Sequence, residues 1–466
     1  MVFSTFTFLF AFFPLVFLLY YVIPNRKYRN TILLLFSLVF YSWGEPKFIL
    51  LMLATSLVAY LSGLWMDHLD KKGQLGMKKT VMIATIALLL SSLFIFKYLN
   101  FVVENLNNLL PGTVSLAKIV LPIGISFYTF QILSYVVDLY RKKIAVQKSY
   151  FDLTLYVAFF PQLIAGPIVR YETVEDEILN RKETLEDVVC GFRRFIIGLA
   201  KKVIIANSTG AIATMIYTGG TDRYNSVFYW LAAIAYALQI YYDFSGYSDM
   251  AIGLGRMFGF RFLENFNYPY ISTSITEFWR RWHISLSSWF RDYVYIPLGG
   301  NRVKKSRWIL NILVVWGLTG FWHGAQWNFL FWGLYYAVLL LLEKLFLQKW
   351  LEKMPVFVRW LYTMVLVLIG WVLFNLTDVS QMLDAIRHMF SFDFSEFSRG
   401  ILHNLDIAYA AVYIPLGILC MVPWKNILSK WKLPDMVVNA VMLLLAGGCV
   451  IYILGSTYNP FIYFRF

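Results

Sequence analysis

The sequence predicts an all-α, polytopic membrane protein. Of its 466 residues, 59% are hydrophobic and only 15% are charged, and the mean hydropathy is +0.61. Ordinary soluble domains do not have this composition. The apolar residues gather into long runs separated by short basic segments, which is the pattern of helices that cross a bilayer. We therefore expect one integral-membrane domain over 1–466.

The apolar runs predict about 11–13 transmembrane helices, because roughly 20 apolar residues are needed to span a bilayer. The run at 3–23 has neither a basic n-region nor a small-residue cleavage site, so we interpret it as a retained span rather than a removed signal peptide. Further spans are predicted at about 31–43, 47–66, 80–99, 115–140, 193–217, 226–242, 308–322, 327–343, 358–376, 407–423 and 434–455.

Basic segments recur at every second crossing and so predict the orientation of the chain. Lys and Arg in short loops favour the cytoplasmic side, which places the N-terminus outside. A larger loop at 377–406 is then external, and we expect its His388 and His403, like His68, to be surface residues. The basic segments are 24–30, 67–79, 141–148 and 425–432.

The apolar segment 151–169 differs from the other runs because it contains helix-breaking residues. Non-helical backbone at membrane depth is tolerated where it is buried in protein or lines a cavity. We therefore predict a re-entrant segment here, whose return leaves the charged residues 170–189 in the cytoplasm. The residues that interrupt it are Pro161, Gln162, Gly166 and Pro167.

Several function classes lack support. The net charge of +14 comes from short clusters rather than one polar face, so it does not indicate nucleic-acid binding. Cys190, Cys420 and Cys449 lie far apart and match no zinc or redox spacing, so no metal site is indicated. Walker, GxGxxG, HExxH and GxSxG motifs are absent from the sequence.

The segment 277–328 gathers charge and histidine inside this apolar chain. His323 closes the apolar run 309–322, so we expect it at membrane depth. An imidazole there is costly unless it faces a cavity or a partner, and imidazole is suited to proton transfer near neutral pH. Gly324 and Ala325 would let a substrate approach the ring. The alternative is a histidine that packs helices together by bonding a neighbouring carbonyl.

His283 is the second candidate in this segment. It follows Trp279, Arg280, Arg281 and Trp282. A segment rich in Trp and Arg is also typical of a membrane interface, so a purely interfacial role for His283 stays open.

Asp243 and Asp249 lie in the polar stretch 239–253, at the end of an apolar run. Carboxylates there are costly, so we expect them to pair with basic groups or to orient a catalytic ring. Arg256 and Arg261 are the nearest candidate partners. A buried clamp that joins helices is an equally good interpretation.

A cluster of basic residues lies on both sides of His283 in the chain. Positive-inside bias accounts for such clusters, but a phosphate-rich donor approaching from the cytoplasm would also need a basic rim. Both interpretations stay open. The residues are Arg280, Arg281, Arg291, Arg302, Lys304, Lys305 and Arg307.

Six long motifs resemble membrane-bound O-acyltransferases, the MBOAT family, in the bacterial branch that contains alginate and peptidoglycan O-acetylation proteins. The resemblance runs nearly end to end, with the core motifs within 151–343. The motifs are FFPQLIAGPIVRY (159–171), YYDFSGYSDMAIG (241–253), NFNYPY (265–270), FWRRWHISLSSWFRDYVYIPLGGNR (278–302), GFWHGAQWNF (320–329) and PFIYFRF (460–466).

The resemblance implies a fold and a site. The expected fold is a ring of helices with re-entrant segments, thinned at its centre into a funnel from each side. The histidine matching His323 is the essential residue of that family, and the one matching His283 is a second site residue. The donor is a cytoplasmic acyl thioester such as acetyl-CoA, with no bound cofactor. In this branch a separate SGNH-type acyltransferase serves the external acceptor, so we expect such a partner.

We therefore predict an O-acyltransferase subunit that moves an acetyl group toward hydroxyls of an exported polysaccharide. The protein would lie among membrane lipids in the bacterial cytoplasmic membrane, without a nucleic-acid partner. His323 would act as general base or otherwise assist the transfer, and His283, Asn328 and Gln326 are candidate donors to the oxyanion. Further candidates for substrate binding are Arg280, Arg281, Trp282 and Asp243.

Two other functions stay open at this point. One is D-alanyl transfer to teichoic acid, whose donor is a carrier protein. The other is a transporter or scaffold whose polar centre is a permeation path, although the lack of visible inverted repeats argues against it.

Overall fold

The structure is a computed structural model, and the regular secondary structure of the residues that it describes is helical. Those residues are 1–110, 119–219, 224–393, 405–424, 434–455 and 461–462, and they contain no β-strand. The predicted all-α, polytopic fold is thereby confirmed. The chain divides into two compact units, Met1–Phe195 with Ser248–Leu263 and Ile196–Tyr247 with Glu264–Phe466. One integral-membrane domain over 1–466 and the ring with its central funnel stay predictions.

The first unit consists of α1 to α8 together with parts of two longer helices. A π-helical turn, Phe8–Phe12, precedes α1, and another, Phe94–Tyr98, joins α4 to α5. The helices are α1 (Phe13–Val22), α2 (Arg26–Ser42), α3 (Ile49–Lys71), α4 (Leu75–Leu93), α5 (Leu99–Leu109), α6 (Ile125–Tyr140), α7 (Tyr150–Ala158) and α8 (Tyr171–Asn180).

Glu183 holds the start of this first unit together. It pairs with Arg26 at the start of α2 and lies 3.2 Å from the guanidinium of Arg29. It also accepts a hydrogen bond from the hydroxyl of Tyr20 in α1. These contacts attach the α1–α2 turn to the loop after α8, so the predicted charged segment 170–189 has a structural role.

The helix break predicted in 151–169 is present. Helix α7 ends at Ala158, and turns and extended backbone continue to 170. The segment is buried in protein, and the hydroxyl of Tyr156 donates to the carbonyl of Val169 at 2.9 Å. Internal bonds of this kind satisfy backbone that has left the helix.

The second unit carries α10 and α12 to α20, while α9 and α11 contribute residues to both units. The helices are α9 (Leu185–Ala200), α10 (Asn207–Gly219), α11 (Ser226–Met257), α12 (Ile275–Arg281), α13 (Ile284–Phe290), α14 (Lys305–His323), α15 (Trp327–Leu342), α16 (Gln348–Leu351), α17 (Val356–Asn375), α18 (Val379–Met389), α19 (Leu405–Cys420) and α20 (Asp435–Gly455).

Helices α14 and α15 form a tight antiparallel hairpin. A Cβ on Gly320 would lie 2.3 Å from the carbonyl oxygen of Phe329, and a Cβ on Gly333 would lie 2.3 Å from that of Trp316. Only glycine lets the two backbones approach so closely. This packing fixes the end of α14, where His323 lies.

Five helical segments among the described residues are long and apolar enough to cross a membrane, fewer than the predicted 11–13. Several predicted spans are shorter or more polar than this criterion requires. Helix α14, for example, contains Asn311 and ends at His323. The five segments are Ile49–Lys71, Leu75–Leu109, Trp327–Leu351, Val356–Asn375 and Asp435–Gly455.

The predicted external loop 377–406 is partly helical. Asp378 caps α18 by accepting a hydrogen bond from the backbone N–H of Gln381. His388 is half-buried on this helix, and its ring centroid lies 5.5 Å from that of Tyr229, so it is less exposed than predicted. His403 lies outside the described residues.

Candidate functional site

A cavity of about 250 Å³ in the second unit is lined by both His283 and His323. His323 is the last residue of α14, and His283 lies between α12 and α13. The two predicted site histidines are 40 positions apart in the chain, and the fold brings them to one cavity.

Aromatic rings surround His323. The ring centroids of Trp322, Trp332 and Phe374 lie 5.0, 5.0 and 5.1 Å from that of the imidazole, all nearly edge to face. The side chain is only 5% exposed. Rings on three sides leave the imidazole little rotational freedom, so its orientation toward the cavity is set before a substrate binds.

His283 is held by its backbone and by neighbouring side chains. Its φ of 45° lies in the left-handed region, which is uncommon for a residue other than glycine and is a feature of functional sites. Its Nδ1 lies 3.1 Å from Oδ1 of Asn265, and the ring of Phe244 lies 4.6 Å away, edge to face.

Burial determines the charge of His283. The residue is outside the five apolar spans and is 1% exposed. Loss of solvent lowers the pKa of His283 to about 3, because a buried cation is penalised. The imidazole is therefore neutral near pH 7, with a lone pair on one of its two ring nitrogens.

Trp322 lies beside both histidines. Its ring centroid is 5.8 Å from that of His283 and 5.0 Å from that of His323. A single indole thus packs against both imidazoles, which line the same cavity.

Three exposed cations also line the cavity: Arg280, Arg291 and Lys344. Arg291 pairs with the neighbouring Asp292 at 2.7 Å. The other basic residues of the predicted rim, Arg302, Lys304, Lys305 and Arg307, do not line the cavity. The basic rim is therefore smaller than predicted and includes a lysine from outside 277–328.

Glu343 positions helix α12. Its carboxylate accepts hydrogen bonds from the backbone N–H groups of Ile275 and Thr276 at 2.6 and 2.9 Å. These N–H groups belong to the first turn of α12, where a carboxylate is favoured. Because α12 carries Trp279 and Arg280, this bond holds one wall of the cavity.

Trp282 lines the cavity, but Arg281 does not. The guanidinium of Arg281 binds the carboxylate of Glu277 at 2.9 Å and donates to the carbonyl of Asn267. These contacts direct the Arg281 side chain to the polar edge of α12 instead of the cavity.

The structure places Asn328 and Gln326 away from the cavity. Asn328 is fully buried and donates to the carbonyl of Phe374 at 3.1 Å, at the end of α17. Gln326 is exposed at the start of α15. Neither residue lines the cavity, so the expectation that they donate to an oxyanion there is not supported by the geometry.

Asp243 is part of a buried clamp and does not line the cavity. Its carboxylate pairs with Lys202 and accepts a hydrogen bond from the backbone N–H of Ile462 at 2.8 Å. Asp249 pairs with Arg194 at 2.8 Å. The predicted partners, Arg256 and Arg261, were wrong, because both lie near the carboxylate of Asp187.

Sequence reasoning missed Asn265, Glu343 and Lys344. Glu343 and Lys344 end an apolar run, where a carboxylate is unusual enough to serve as a signal. Asn265 lies in a short segment, NFNYPY, that contains no charged side chain. Nothing local to that segment indicates that it contacts His283.

The sequence of this chain is similar to those of several known proteins. Residues 35–377 match MBOAT, membrane-bound O-acyltransferase family. The chain is 38% identical to "Probable alginate O-acetylase AlgI" of Azotobacter vinelandii, over 100% of both chains. It is 30% identical to "Peptidoglycan O-acetyltransferase" of Helicobacter pylori, over 100% of this chain and 98% of that one. It is also 33% identical to "Teichoic acid D-alanyltransferase" of Bacillus subtilis, over 50% of this chain and 60% of that one.

Proposed function

This chain belongs to the membrane-bound O-acyltransferase family, and we propose that it moves an acetyl group from a cytoplasmic thioester across the membrane toward hydroxyls of an exported polysaccharide. Membership makes it a multi-pass membrane O-acyltransferase, which sets aside a transporter or scaffold. The named relatives that match along the whole chain are O-acetylating proteins, which supports acetyl as the transferred group.

The observation that carries the proposal is the cavity shared by His283, His323 and three cations. Acetyl-CoA has a phosphate-rich end and a thioester end. Arg280, Arg291 and Lys344 suit the phosphates, since guanidinium and ammonium groups both bind phosphate. The thioester can then reach the two imidazoles.

The reaction needs a proton acceptor and a group that stabilises the developing oxyanion. One imidazole removes the proton from the attacking hydroxyl while its oxygen bonds to the acyl carbon. The C–S bond then breaks, and the thiolate takes the proton back from the imidazolium. Aromatic walls around His323 exclude water, which would otherwise hydrolyse the thioester.

The location and the partner follow from the same proposal. The donor approaches from the cytoplasm of a bacterium, so the protein lies in the cytoplasmic membrane. An external SGNH-type acyltransferase completes transfer onto the polymer. Co-purification of such a protein with this chain in mild detergent tests the partnership.

Inverted membrane vesicles that contain this protein test the proposal. Radiolabelled acetyl-CoA is added outside, on the former cytoplasmic face, and label is measured on polysaccharide inside. We expect labelling that depends on this chain and falls when His283 is replaced by alanine. Labelling that is independent of the chain would contradict the proposal.

D-alanyl transfer is the second candidate, because a teichoic acid D-alanyltransferase is 33% identical over half of this chain. The same vesicles can be given D-alanine as a thioester on a carrier protein. Transfer of D-alanine without transfer of acetyl would favour this candidate over the first.

A further inference from the structure

Asn265 makes three contacts through one atom. Its Oδ1 lies 3.2 Å from the backbone N of Ser285, 2.8 Å from Oγ of Ser285 and 3.1 Å from Nδ1 of His283. A backbone N–H can only donate, so the atom that receives it is the amide oxygen and not the nitrogen. All three neighbours must therefore donate to Oδ1.

This geometry decides the tautomer of His283. A ring nitrogen that donates to an oxygen must carry a proton, and in a neutral imidazole the other nitrogen then has a lone pair. The hydroxyl of Ser285 is 3.4 Å from Nδ1 but only 2.8 Å from Oδ1 of Asn265. Its proton therefore goes to Asn265, and it does not compete for the imidazole.

The other nitrogen, Nε2 of His283, is the atom left for a substrate. It is buried and has no hydrogen-bond partner among the described protein atoms. The ring lines the cavity, and Phe244 and Phe266 pack against it. An acceptor that is buried without a partner is costly, unless a bound hydroxyl satisfies it during the reaction.

We infer that Asn265 is a positioning residue that holds His283 in the Nδ1-protonated tautomer, so that Nε2 of His283 is the proton-accepting atom. This inference rests on the proposed function. The hydroxyl proton passes to Nε2 as the hydroxyl oxygen bonds to the acyl carbon. As the C–S bond breaks, the thiolate leaves with the proton that Nε2 releases, and the tautomer is unchanged afterwards.

The tautomer can be measured without activity. Histidine labelled with ¹⁵N is incorporated into the full-length protein in lipid nanodiscs, and its ring signals distinguish protonated from unprotonated nitrogens. The sequence has five histidines, and loss of one set in His283→Gln assigns His283. We expect a protonated Nδ1 and an unprotonated Nε2. A protonated Nε2 would overturn the inference.

Variants at Asn265 test the consequence for catalysis with acetyl-CoA as donor. Asn265→Ala removes the oxygen, and we expect kcat to fall about tenfold to hundredfold with the KM for acetyl-CoA nearly unchanged. Asn265→Asp keeps an acceptor but adds a negative charge, which favours the imidazolium. We therefore expect this variant to retain activity, with the acid limb of its pH profile moved to higher pH.

These outcomes test the role of Asn265 separately from the proposed function. An Asn265→Asp protein with an unmoved acid limb, or an Asn265→Ala protein with wild-type kcat, would contradict the role of Asn265. A wild-type protein that shows the expected tautomer but no acetyl transfer would contradict the proposed function and, with it, the assignment of Nε2 as proton acceptor. The tautomer would then stand as a structural fact alone.

Discussion

Arg280, Arg291 and Lys344 differ from most basic residues of this chain because they line the cavity that holds both histidines. If they bind the donor's phosphates, Arg291→Gln should raise the KM for acetyl-CoA about fivefold, since an exposed ion pair contributes on the order of 1 kcal/mol. kcat should change little, because the side chain does not act on the reacting atoms. Steady-state kinetics at low salt measures both quantities.

Lys349→Gln is the matched control for this charge. Lys349 is an exposed cation on α16 that does not line the cavity. Equal rises in KM for the two variants would mean that the overall positive charge, rather than a phosphate site at the cavity, attracts the donor.

For individual residues, the sequence predicts site residues whose chemistry is unusual in an apolar chain and misses those whose chemistry is ordinary. His283 and His323 stand out because imidazoles are rare in an apolar chain. Asn265 is 18 positions from His283 and becomes important only through the contact that the fold creates. Asn328 and Gln326 were expected beside His323 because they are close in sequence, but α15 directs Asn328 toward α17.

The hairpin of α14 and α15 is the element that places His323. Gly333→Ala would bring a Cβ to 2.3 Å from the carbonyl oxygen of Trp316, so the two helices must separate. We expect a lower melting temperature, because overpacking costs about 1–3 kcal/mol. Activity should fall about tenfold to hundredfold as the imidazole moves.

Gly317→Ala on α14 serves as the control for that change. A Cβ on Gly317 would meet nothing within 4 Å, so both melting temperature and activity should match the wild type. If Gly333→Ala behaves in the same way as Gly317→Ala, close packing of the hairpin does not position His323.

Loss of the buried clamp at Asp243 should reduce stability as well as activity. Asp243→Ala removes the carboxylate that neutralises buried Lys202 and the acceptor for the N–H of Ile462. Breaking one side of a buried pair costs about 3–5 kcal/mol, so the amount of folded protein should fall in proportion to activity. Abundance in membranes and melting temperature in detergent measure this.

A double variant, Lys202→Met with Asp243→Leu, gives the complementary result. Replacing both charges with apolar groups is often close to neutral, so stability should recover above that of Asp243→Ala. Full abundance of the single variant together with lost activity would instead indicate a direct role for Asp243 in the reaction.

The sequence predicted many helices well, because apolar runs and helix-breaking residues determine helices through local interactions. Pro161 and Gly166 indicated the break that follows Ala158, and 358–376 matches α17 (Val356–Asn375) closely. It could not predict that α11 (Ser226–Met257) continues for 32 residues, because its polar stretch 239–253 resembled the end of a span. The carboxylates of that stretch, Asp243 and Asp249, pair with Lys202 and Arg194, which lie far away in the chain.

For the whole molecule, the basic segments predict which residues face the cytoplasm. With Cys190, Cys420 and Cys449 replaced, a cysteine at Gln74, which is exposed between α3 and α4, should be shielded from an impermeant thiol reagent in intact cells. A cysteine at Ser398 should react, since 377–406 is predicted to be external. Labelling at position 74 from outside would reverse the predicted orientation of the chain. The cations of the cavity would then no longer be assigned to the cytoplasmic side, where the donor is expected.

The cavity shared by His283 and His323 is the proposed site of acyl transfer. The most direct test is acetyl transfer from acetyl-CoA by the purified protein, with and without the proposed external acyltransferase, in His323→Ala and in His388→Ala. His388 is half-buried, does not line the cavity and donates to the carbonyl of Asp384, so its variant controls for loss of any histidine. Because His283 is the proposed proton acceptor, His323 is the imidazole of the cavity left to donate to the oxyanion, and we predict a loss of about 10²–10³-fold in a His323→Ala protein that still folds. We predict wild-type activity in His388→Ala. Wild-type transfer by a folded His323→Ala protein would contradict the account.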